Sequence, residues 1–368
     1  MRHEDLSREL FEAVRAGDIV RSRAALAAGA NLNLGKGKEA ALHIAARSGS
    51  LALVEPLLEG EALEWQTDRC GRTPLDLARL NRSPDRAAIV AVLDRTRIAD
   101  PDFRAAVAAL HAGDLVGLER LLDAKPNLLQ ARNMGPEVYR RAKRKQYFRD
   151  PKLFWYVANN PNFVATMPDN LVELVRAMLA RGVESADVDY ALELTMTSGG
   201  LGEGRLRAGL MRVLLVAGAK PSPATVVAVG GEKQLDALRS LLDNGYTLTL
   251  PVAAAIGASH ALGELLEHAS AQEIQIAFGL AVINDHLRCA RMALAAGAEV
   301  DAYLPYHAHS TALHQAALND NVDMIELLAT SGARADVRDL LWDGTPAEWA
   351  QHEGRARALS ALEALFGE

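Results

Sequence analysis

Apolar residues recur at spacings of three and four along most of the chain, with polar residues between them. This spacing places the apolar side chains on one face of a helix. Five segments in the middle of the chain show it most clearly, with apolar positions at Leu118-Leu121-Leu122, Leu174-Val175-Met178-Leu179, Met211-Leu214-Leu215, Leu238-Leu241-Leu242 and Leu262-Leu265-Leu266. The pattern predicts an all-α protein in which each such helix buries a narrow face.

A glycine follows many of the predicted helices. These glycines are Gly29, Gly60, Gly182, Gly218, Gly245, Gly297 and Gly332. Because glycine readily adopts the left-handed backbone conformation that ends a helix, each of them is predicted to be a helix stop.

Four hexapeptides are variations on one sequence. They are Ala41-Leu42-His43-Ile44-Ala45-Ala46, Thr73-Pro74-Leu75-Asp76-Leu77-Ala78, Thr311-Ala312-Leu313-His314-Gln315-Ala316 and Thr345-Pro346-Ala347-Glu348-Trp349-Ala350. In register, the first two lie 33 residues apart and the last two lie 34 apart. Recurrence at such a period is typical of repeat proteins, and each hexapeptide is predicted to open the first helix of a helix pair.

These hexapeptides resemble the Thr-Pro-Leu-His-x-Ala signature of the ankyrin repeat family, whose period is 33 residues. The resemblance implies an ankyrin-repeat solenoid of about ten to eleven helix-pair units with short β-turn fingers and polar-faced terminal caps. It also implies that His43 and His314, at the signature histidine position, bond to the backbone of a neighbouring finger. The layout is similar to that of bacterial ankyrin-type proteins with a degenerate middle.

The fading of the hexapeptide between the two ends suggests three segments. Residues 1–98 are predicted to hold N-terminal repeats with a cap, residues 99–299 degenerate repeats, and residues 300–368 C-terminal repeats with a cap. The middle segment contains an insertion at 133–170 that interrupts the repeat pattern.

Composition narrows the class of protein. With 49% hydrophobic and only 5% aromatic residues, the chain is too apolar for disorder and suits thin layers of Ala- and Leu-rich helices. Cys70 and Cys289 are far apart, which indicates neither a disulfide framework nor a thiolate metal site. No long uncharged apolar run is present, so we expect a cytoplasmic protein that does not enter a membrane.

The formal net charge of −7 argues against a general electrostatic grip on nucleic acid. The insertion is a local exception. It holds seven of the 18 Phe, Trp and Tyr residues and a run of basic residues that includes Arg144. Because loops on a rigid scaffold often carry binding, Trp155, Tyr156, Asn159, Asn160 and Arg144 are candidate binding residues. The alternative is that the aromatic residues only pack the insertion onto the helices.

A second departure is the loop at 301–310, which carries Asp301, Tyr303, Tyr306, His307 and His309. In extended backbone, the two histidines project to the same side. Three hypotheses compete: a metal site with a third carboxylate ligand, acid–base catalysis, and recognition of a ligand or hydrogen bonding within the loop itself.

The following loop, 336–344, is expected to be a neighbour of the 301–310 loop. It adds Arg338 and Trp342 as binding candidates. An aromatic side chain held on a rigid turn is a good binding anchor.

These features favour a non-enzymatic ankyrin-repeat protein that binds a protein or peptide through a concave groove of fingers and inner helices. The alternative is a small-molecule-binding protein or enzyme with its site between the insertion and the His-rich 301–310 loop. There, His307, His309, Tyr303 and Asp301 would be the catalytic candidates, and the ligand an anionic or aromatic molecule. We expect no cofactor and no metal. Nucleic acid is not expected as a partner, since no recognised RNA-binding signature is present.

Overall fold

The computed structural model describes residues 3–33, 39–94, 98–134, 150–159, 164, 166–198, 201 and 204–367. Within these ranges the regular structure is helical, and β-pairing is limited to isolated antiparallel bridges, Arg132 with Lys152 and Tyr303 with Thr311. The all-α class predicted from the sequence is therefore confirmed for the described part of the chain.

The chain divides into two compact units, Met1–Ala165 (unit 1) and Thr166–Glu368 (unit 2). This division falls inside the predicted middle segment 99–299. The division into three segments remains a prediction.

Unit 1 is built mainly from helix pairs joined by short turns. Its α-helices are α1 His3–Ala16, α2 Ile19–Ala27, α3 Ala41–Ser48, α4 Leu51–Glu59, α5 Pro74–Leu80, α6 Arg86–Leu93, α7 Pro101–Ala112 and α8 Leu115–Ala124. Two 3-10 helices follow, Pro126–Leu129 and Leu153–Ala158. First helices pack against first helices, α1 on α3 and α3 on α5, while second helices pack in the same way, α2 on α4 and α4 on α6.

Unit 2 repeats the helix-pair arrangement. Its α-helices are α9 Leu171–Leu179, α10 Ser185–Thr197, α11 Arg205–Val216, α12 Pro223–Gly231, α13 Leu235–Asp243, α14 Leu250–Ile256, α15 Ser259–Leu266, α16 Ala271–Ile283, α17 Leu287–Ala295, α18 Ala312–Leu318, α19 Val322–Thr330, α20 Pro346–His352 and α21 Ala356–Phe366. The first helices α12, α14, α16, α18 and α20 pack in series. Helix α12 also contacts α16, which belongs to the second pair after its own.

The signature threonines begin their helices through reciprocal hydrogen bonds. The Thr73 hydroxyl accepts from the Asp76 amide at 3.3 Å, while the Asp76 carboxylate accepts from the Thr73 amide at 2.9 Å. Thr345 and Glu348 form the same arrangement at 3.2 and 2.7 Å. These capping boxes satisfy amides that a helix start leaves without a partner, which explains why the hexapeptide fixes the helix boundary.

The helix-stop prediction is confirmed at six of its glycines. Gly29, Gly182, Gly218, Gly245, Gly297 and Gly332 all have positive φ. Gly60 was wrongly predicted, since its φ is −83° and the left-handed residue is Glu61, with φ of 72°. At this turn the left-handed conformation therefore occurs one residue later than predicted.

The five amphipathic segments of the middle form α8, α9, α11, α13 and α15. Each buries part of its predicted apolar face, including Leu118, Leu174, Leu214, Leu238 and Leu262, which are fully buried. No helix in the described ranges is both long and apolar enough to cross a lipid bilayer.

Candidate functional site

The described residues of the insertion that belong to unit 1 include the 3-10 helix Leu153–Ala158, which packs against α7. Tyr156 is fully buried, its ring meets Phe103 edge to face at 5.8 Å, and its hydroxyl accepts from Asn133 Nδ2 at 3.2 Å. Burial raises the pKa of Tyr156 to about 12, against the opposing effect of the Asn133 hydrogen bond. The ring therefore stays a neutral core residue.

Asn159 is also fully buried and has a left-handed backbone conformation, with φ of 52°. Its side chain accepts from the Val164 amide at 2.8 Å and donates to the Val164 carbonyl at 3.0 Å. Both bonds join Asn159 to Val164. Tyr156 and Asn159 thus present no side chain to solvent, and the binding surface proposed below does not include them.

Trp155 is half-buried, and the Arg132 guanidinium carbon lies 5.1 Å from its ring centroid. This cation–π pair ties the residue before the insertion to a residue inside it. Asn160 and Arg144 lie outside the described residues, so their predicted binding role stays a prediction.

In unit 2, the 301–310 loop closes on itself. The Leu304 amide donates to the Ser310 carbonyl and the Ser310 amide to the His307 carbonyl, both at 2.9 Å. Leu304 is 1% exposed and anchors the loop in the core. Asp301 faces the following repeat, where its carboxylate accepts from the Arg334 amide at 2.9 Å.

The Tyr306 side chain leaves the loop and contacts α12. Its hydroxyl donates to the Glu232 carboxylate, and its ring lies directly against Gly231. The His307 ring packs edge to face on Tyr306, with centroids 4.6 Å apart, and His307 itself has a left-handed φ of 57°. Through Tyr306 the loop therefore reaches back past two helix pairs, α14–α15 and α16–α17, to contact α12.

The other side of the loop meets the 336–344 loop. The Tyr303 hydroxyl donates to the Arg338 carbonyl at 2.8 Å, and the Leu340 amide donates to the His309 carbonyl at 2.8 Å. The His309 ring packs between His307, at 6.0 Å, and Trp342, at 5.3 Å. As expected from the sequence, the two loops are neighbours, and they bring together Tyr303, Tyr306, His307, His309, Arg338 and Trp342.

Asp339 organises the 336–344 loop from within. This carboxylate is 3% exposed and accepts from the amides of Leu341, Trp342 and Gly344 at 2.8 Å each, and from Trp349 Nε1 at 3.0 Å. Burial opposes its ionisation, but these hydrogen bonds outweigh burial and keep the pKa of Asp339 below its usual value. The charged carboxylate thus fixes the backbone that presents Trp342.

The two loops expose an apolar surface. Tyr303 is 38% exposed, Leu340 54%, Leu341 45% and Trp342 52%. We refer to these four residues as the apolar loop surface. Sequence analysis missed Leu340 and Leu341, although two leucines in a turn flanked by aspartates are a detectable signal.

The surroundings of His309 change its acid–base chemistry. Burial, reinforced by the proximity of His307, lowers the pKa of His309, so its imidazole is neutral at neutral pH. Among the described residues, no three His, Cys, Asp or Glu side chains are grouped so that they could hold a metal ion. The catalytic role considered for His307, His309, Tyr303 and Asp301 remains a prediction.

The signature histidines have the structural role that the family resemblance implied. His43 Nδ1 accepts from the Ala40 amide at 3.2 Å, and Nε2 donates to the Arg72 carbonyl at 3.1 Å. His314 bonds equivalently to the Thr311 amide, at 3.3 Å, and to the Gly344 carbonyl, at 3.0 Å. Each imidazole thus links the start of its own first helix to the next loop.

Comparison with known families gives one match in this region. A family model described as "Ankyrin repeat" matches residues 309–340, which include α18, α19 and the beginning of the 336–344 loop. No curated protein matches the chain significantly. The ankyrin repeat is a general protein–protein interaction module. Residues 309–340 are therefore similar to an ankyrin repeat.

Proposed function

We propose that this is a non-enzymatic ankyrin-repeat protein that binds a protein or peptide partner through the apolar loop surface of unit 2. One observation carries the proposal. Tyr303, Leu340, Leu341 and Trp342 are all exposed, although the two loops that bear them are held in place by hydrogen bonds. Large apolar side chains on a fixed backbone bind a partner without first paying the entropy of ordering a loop.

The supporting fold is a stacked array of helix pairs, with the connecting loops acting as the fingers of an ankyrin solenoid. The sequence predicted recognition by a groove of fingers and inner helices. Helix α18 is almost completely buried, as is most of α16 after its first turn, so next to these two helices the large exposed apolar side chains are on the loops. Our proposal therefore places the contact on the finger tips.

The alternative function, a small-molecule site or enzyme, stays a prediction from the sequence. In unit 2, two of its candidate side chains already bond to backbone groups, Asp301 to the Arg334 amide and Tyr303 to the Arg338 carbonyl. No observation of the described residues favours catalysis over partner binding.

Affinity capture from an extract of the source cells tests the proposal. The tagged full-length protein is compared with the double variant Leu341→Ser and Trp342→Ala, and bound proteins are quantified by mass spectrometry. Hot-spot residues, among which tryptophan is common, each contribute about 2 kcal/mol or more, so we expect the double variant to recover the partner at least about tenfold less.

Val216→Ser is the matched control. Val216 is 82% exposed on α11 of the same unit but lies outside both loops. We expect this variant to capture the partner as the wild type does. Equal recovery with all three proteins would reject the apolar loop surface as the binding site.

A further inference from the structure

The geometry points to Gly231 and Glu232 as positioning residues: by holding Tyr306 they fix the 301–310 loop, and through it the apolar loop surface. This inference rests on the proposed function for its consequence. The contact itself can be tested without a partner.

The first step is the contact between Tyr306 and the end of α12, which lies 74 residues earlier in the chain. The Tyr306 ring occupies the space above Gly231, where a Cβ would overlap three of its carbon atoms. The neighbouring hydroxyl donates to the exposed Glu232 carboxylate. Hydrogen bonds to charged groups contribute more than neutral ones.

The second step is the path of the loop between α12 and the following repeats. Leu304 and Pro305 pass over α16 at Gly279, where an added Cβ would meet them at 3.4 and 3.6 Å. The loop thus crosses the first helix α16 at Gly279, and its Tyr306 side chain packs against Gly231 of the first helix α12. Small residues on both helices allow this close approach.

Two further contacts link the same parts of unit 2. Lys233 Nζ donates to Asn319 Oδ1 at 2.9 Å, and Asn284 Nδ2 donates to the Gly230 carbonyl at 2.9 Å. The end of α12 is therefore joined to the ends of both α16 and α18. Because these contacts do not involve Tyr306, they keep the helices together when the tyrosine is displaced.

The third step carries the effect to the proposed binding surface. The His309 carbonyl accepts from the Leu340 amide, and Tyr303 bonds to the Arg338 carbonyl. When the contact with α12 is broken, the loop positions two groups less firmly. These are the His309 carbonyl, which accepts from Leu340, and the Tyr303 hydroxyl, which donates to Arg338. We therefore expect the backbone of Leu340, Leu341 and Trp342 to become more mobile as well.

Gly231→Ala is the direct test. Residue 231 is the last residue of α12 and does not have a positive φ, so alanine fits the backbone there while its methyl group displaces the Tyr306 ring. Hydrogen–deuterium exchange of the full-length protein should show residues 303–311 and 339–342 exchanging about tenfold faster, which corresponds to about 1.4 kcal/mol of local opening.

Gly263→Ala is the matched control. Gly263 is also a helical glycine of unit 2, and its added Cβ would meet only the flexible end of Met292, at 3.1 Å. Exchange in both loops should stay at the wild-type rate. The double variant Gly231→Ala and Tyr306→Ala should match Gly231→Ala alone, because both changes break the same contact.

Partner affinity separates the two proposals. If Gly231→Ala leaves exchange of residues 303–311 unchanged, the positioning role is wrong, whatever happens to binding. If exchange rises and the partner is captured with unchanged affinity, the loop is positioned by α12 but binding does not depend on it, and the inference is also overturned. If Leu341→Ser with Trp342→Ala has no effect on capture, the proposed function itself fails.

Discussion

Asp339 is the residue on which the geometry of the 336–344 loop depends. Its carboxylate accepts four hydrogen bonds inside the protein, three of them from backbone amides of the same loop. Burial of so many donors is stable only when the acceptor is charged and correctly placed. The exposure of Trp342 is thus a consequence of a buried residue three positions earlier.

We predict that Asp339→Asn destabilises unit 2 by about 2 kcal/mol, because an amide offers one acceptor oxygen and turns its own N–H groups toward the loop amides. Denaturant unfolding followed by tryptophan fluorescence measures the change. Asp336→Asn is the control, since that side chain is 72% exposed and pairs with Arg334 at 2.9 Å. Equal stability of both variants would show that Asp339 does not organise the loop.

The imidazoles of His309 and His314 predict that the folded protein loses stability in acid. Burial lowers the pKa of His309 and of His314 from the ordinary value of 6.5, so below that pH the unfolded chain binds more protons than the folded protein. The free energy of unfolding should be highest above pH 6.5 and decline as the pH falls from there toward the lowered folded values.

Chemical denaturation of the wild type at pH 7.5 and at pH 5.5, run beside His309→Gln, measures this effect. We expect the variant to lose less stability on acidification than the wild type. His260→Gln, whose side chain is 94% exposed on α15, should follow the wild type. A wild-type protein that is equally stable at both pH values would contradict the prediction.

At the level of the helix pair, the turn between the two helices repeatedly uses one residue of positive φ. Glycine occupies it at Gly17, Gly49, Gly113 and Gly257, whereas Lys233, Asp285 and Asp320 occupy it in three pairs of unit 2. Left-handed conformation costs about 1–2 kcal/mol for a residue with a side chain. These three pairs keep the turn because contacts elsewhere hold the helices together.

Gly49 and Gly17 allow strain and contact to be separated. Both have similar φ, 74° and 73°, but a Cβ at Gly49 would lie 2.5 Å from Ser83 Cβ, while at Gly17 it would meet nothing within 4 Å. We predict that Gly17→Ala costs about 1 kcal/mol and that Gly49→Ala costs at least about 1 kcal/mol more. Thermal unfolding of the two variants provides the comparison, and equal losses would show that the Ser83 contact is not limiting.

Sequence patterns predicted the elements well where the cause is local. The capping boxes at Thr73 and Thr345, the helix-ending glycines and the apolar faces of α8, α9, α11, α13 and α15 all depend on residues within a few positions of each other. The prediction for Gly60 was wrong because Glu61 adopts the left-handed conformation instead. The position of a glycine in the sequence does not show whether the glycine itself or the residue after it adopts the left-handed conformation.

Across the whole molecule, the features that define the candidate site come from contacts that a linear pattern does not contain. Tyr306 was selected from the sequence as a binding residue, but its pairing with Gly231 and Glu232 joins repeats that the periodicity treats as independent. The burial of Tyr156 agrees with the alternative that the aromatic residues pack the insertion onto the helices, whereas the burial of Asn159 was not predicted. Leucine is usually a buried residue, and the fold shows that Leu340 and Leu341 are exposed.

The central claim is that a partner binds at the apolar loop surface of unit 2, and site-specific photo-crosslinking tests it most directly. A photoreactive phenylalanine analogue replaces Trp342 in one full-length protein and Val216 in another, and both are irradiated in extract of the source cells. Trp342 and Val216 are 52% and 82% exposed, so exposure alone would favour crosslinking at 216. We predict a discrete crosslinked protein from position 342 and none from position 216. Crosslinking that is absent at 342, or the same from both positions, would contradict the account.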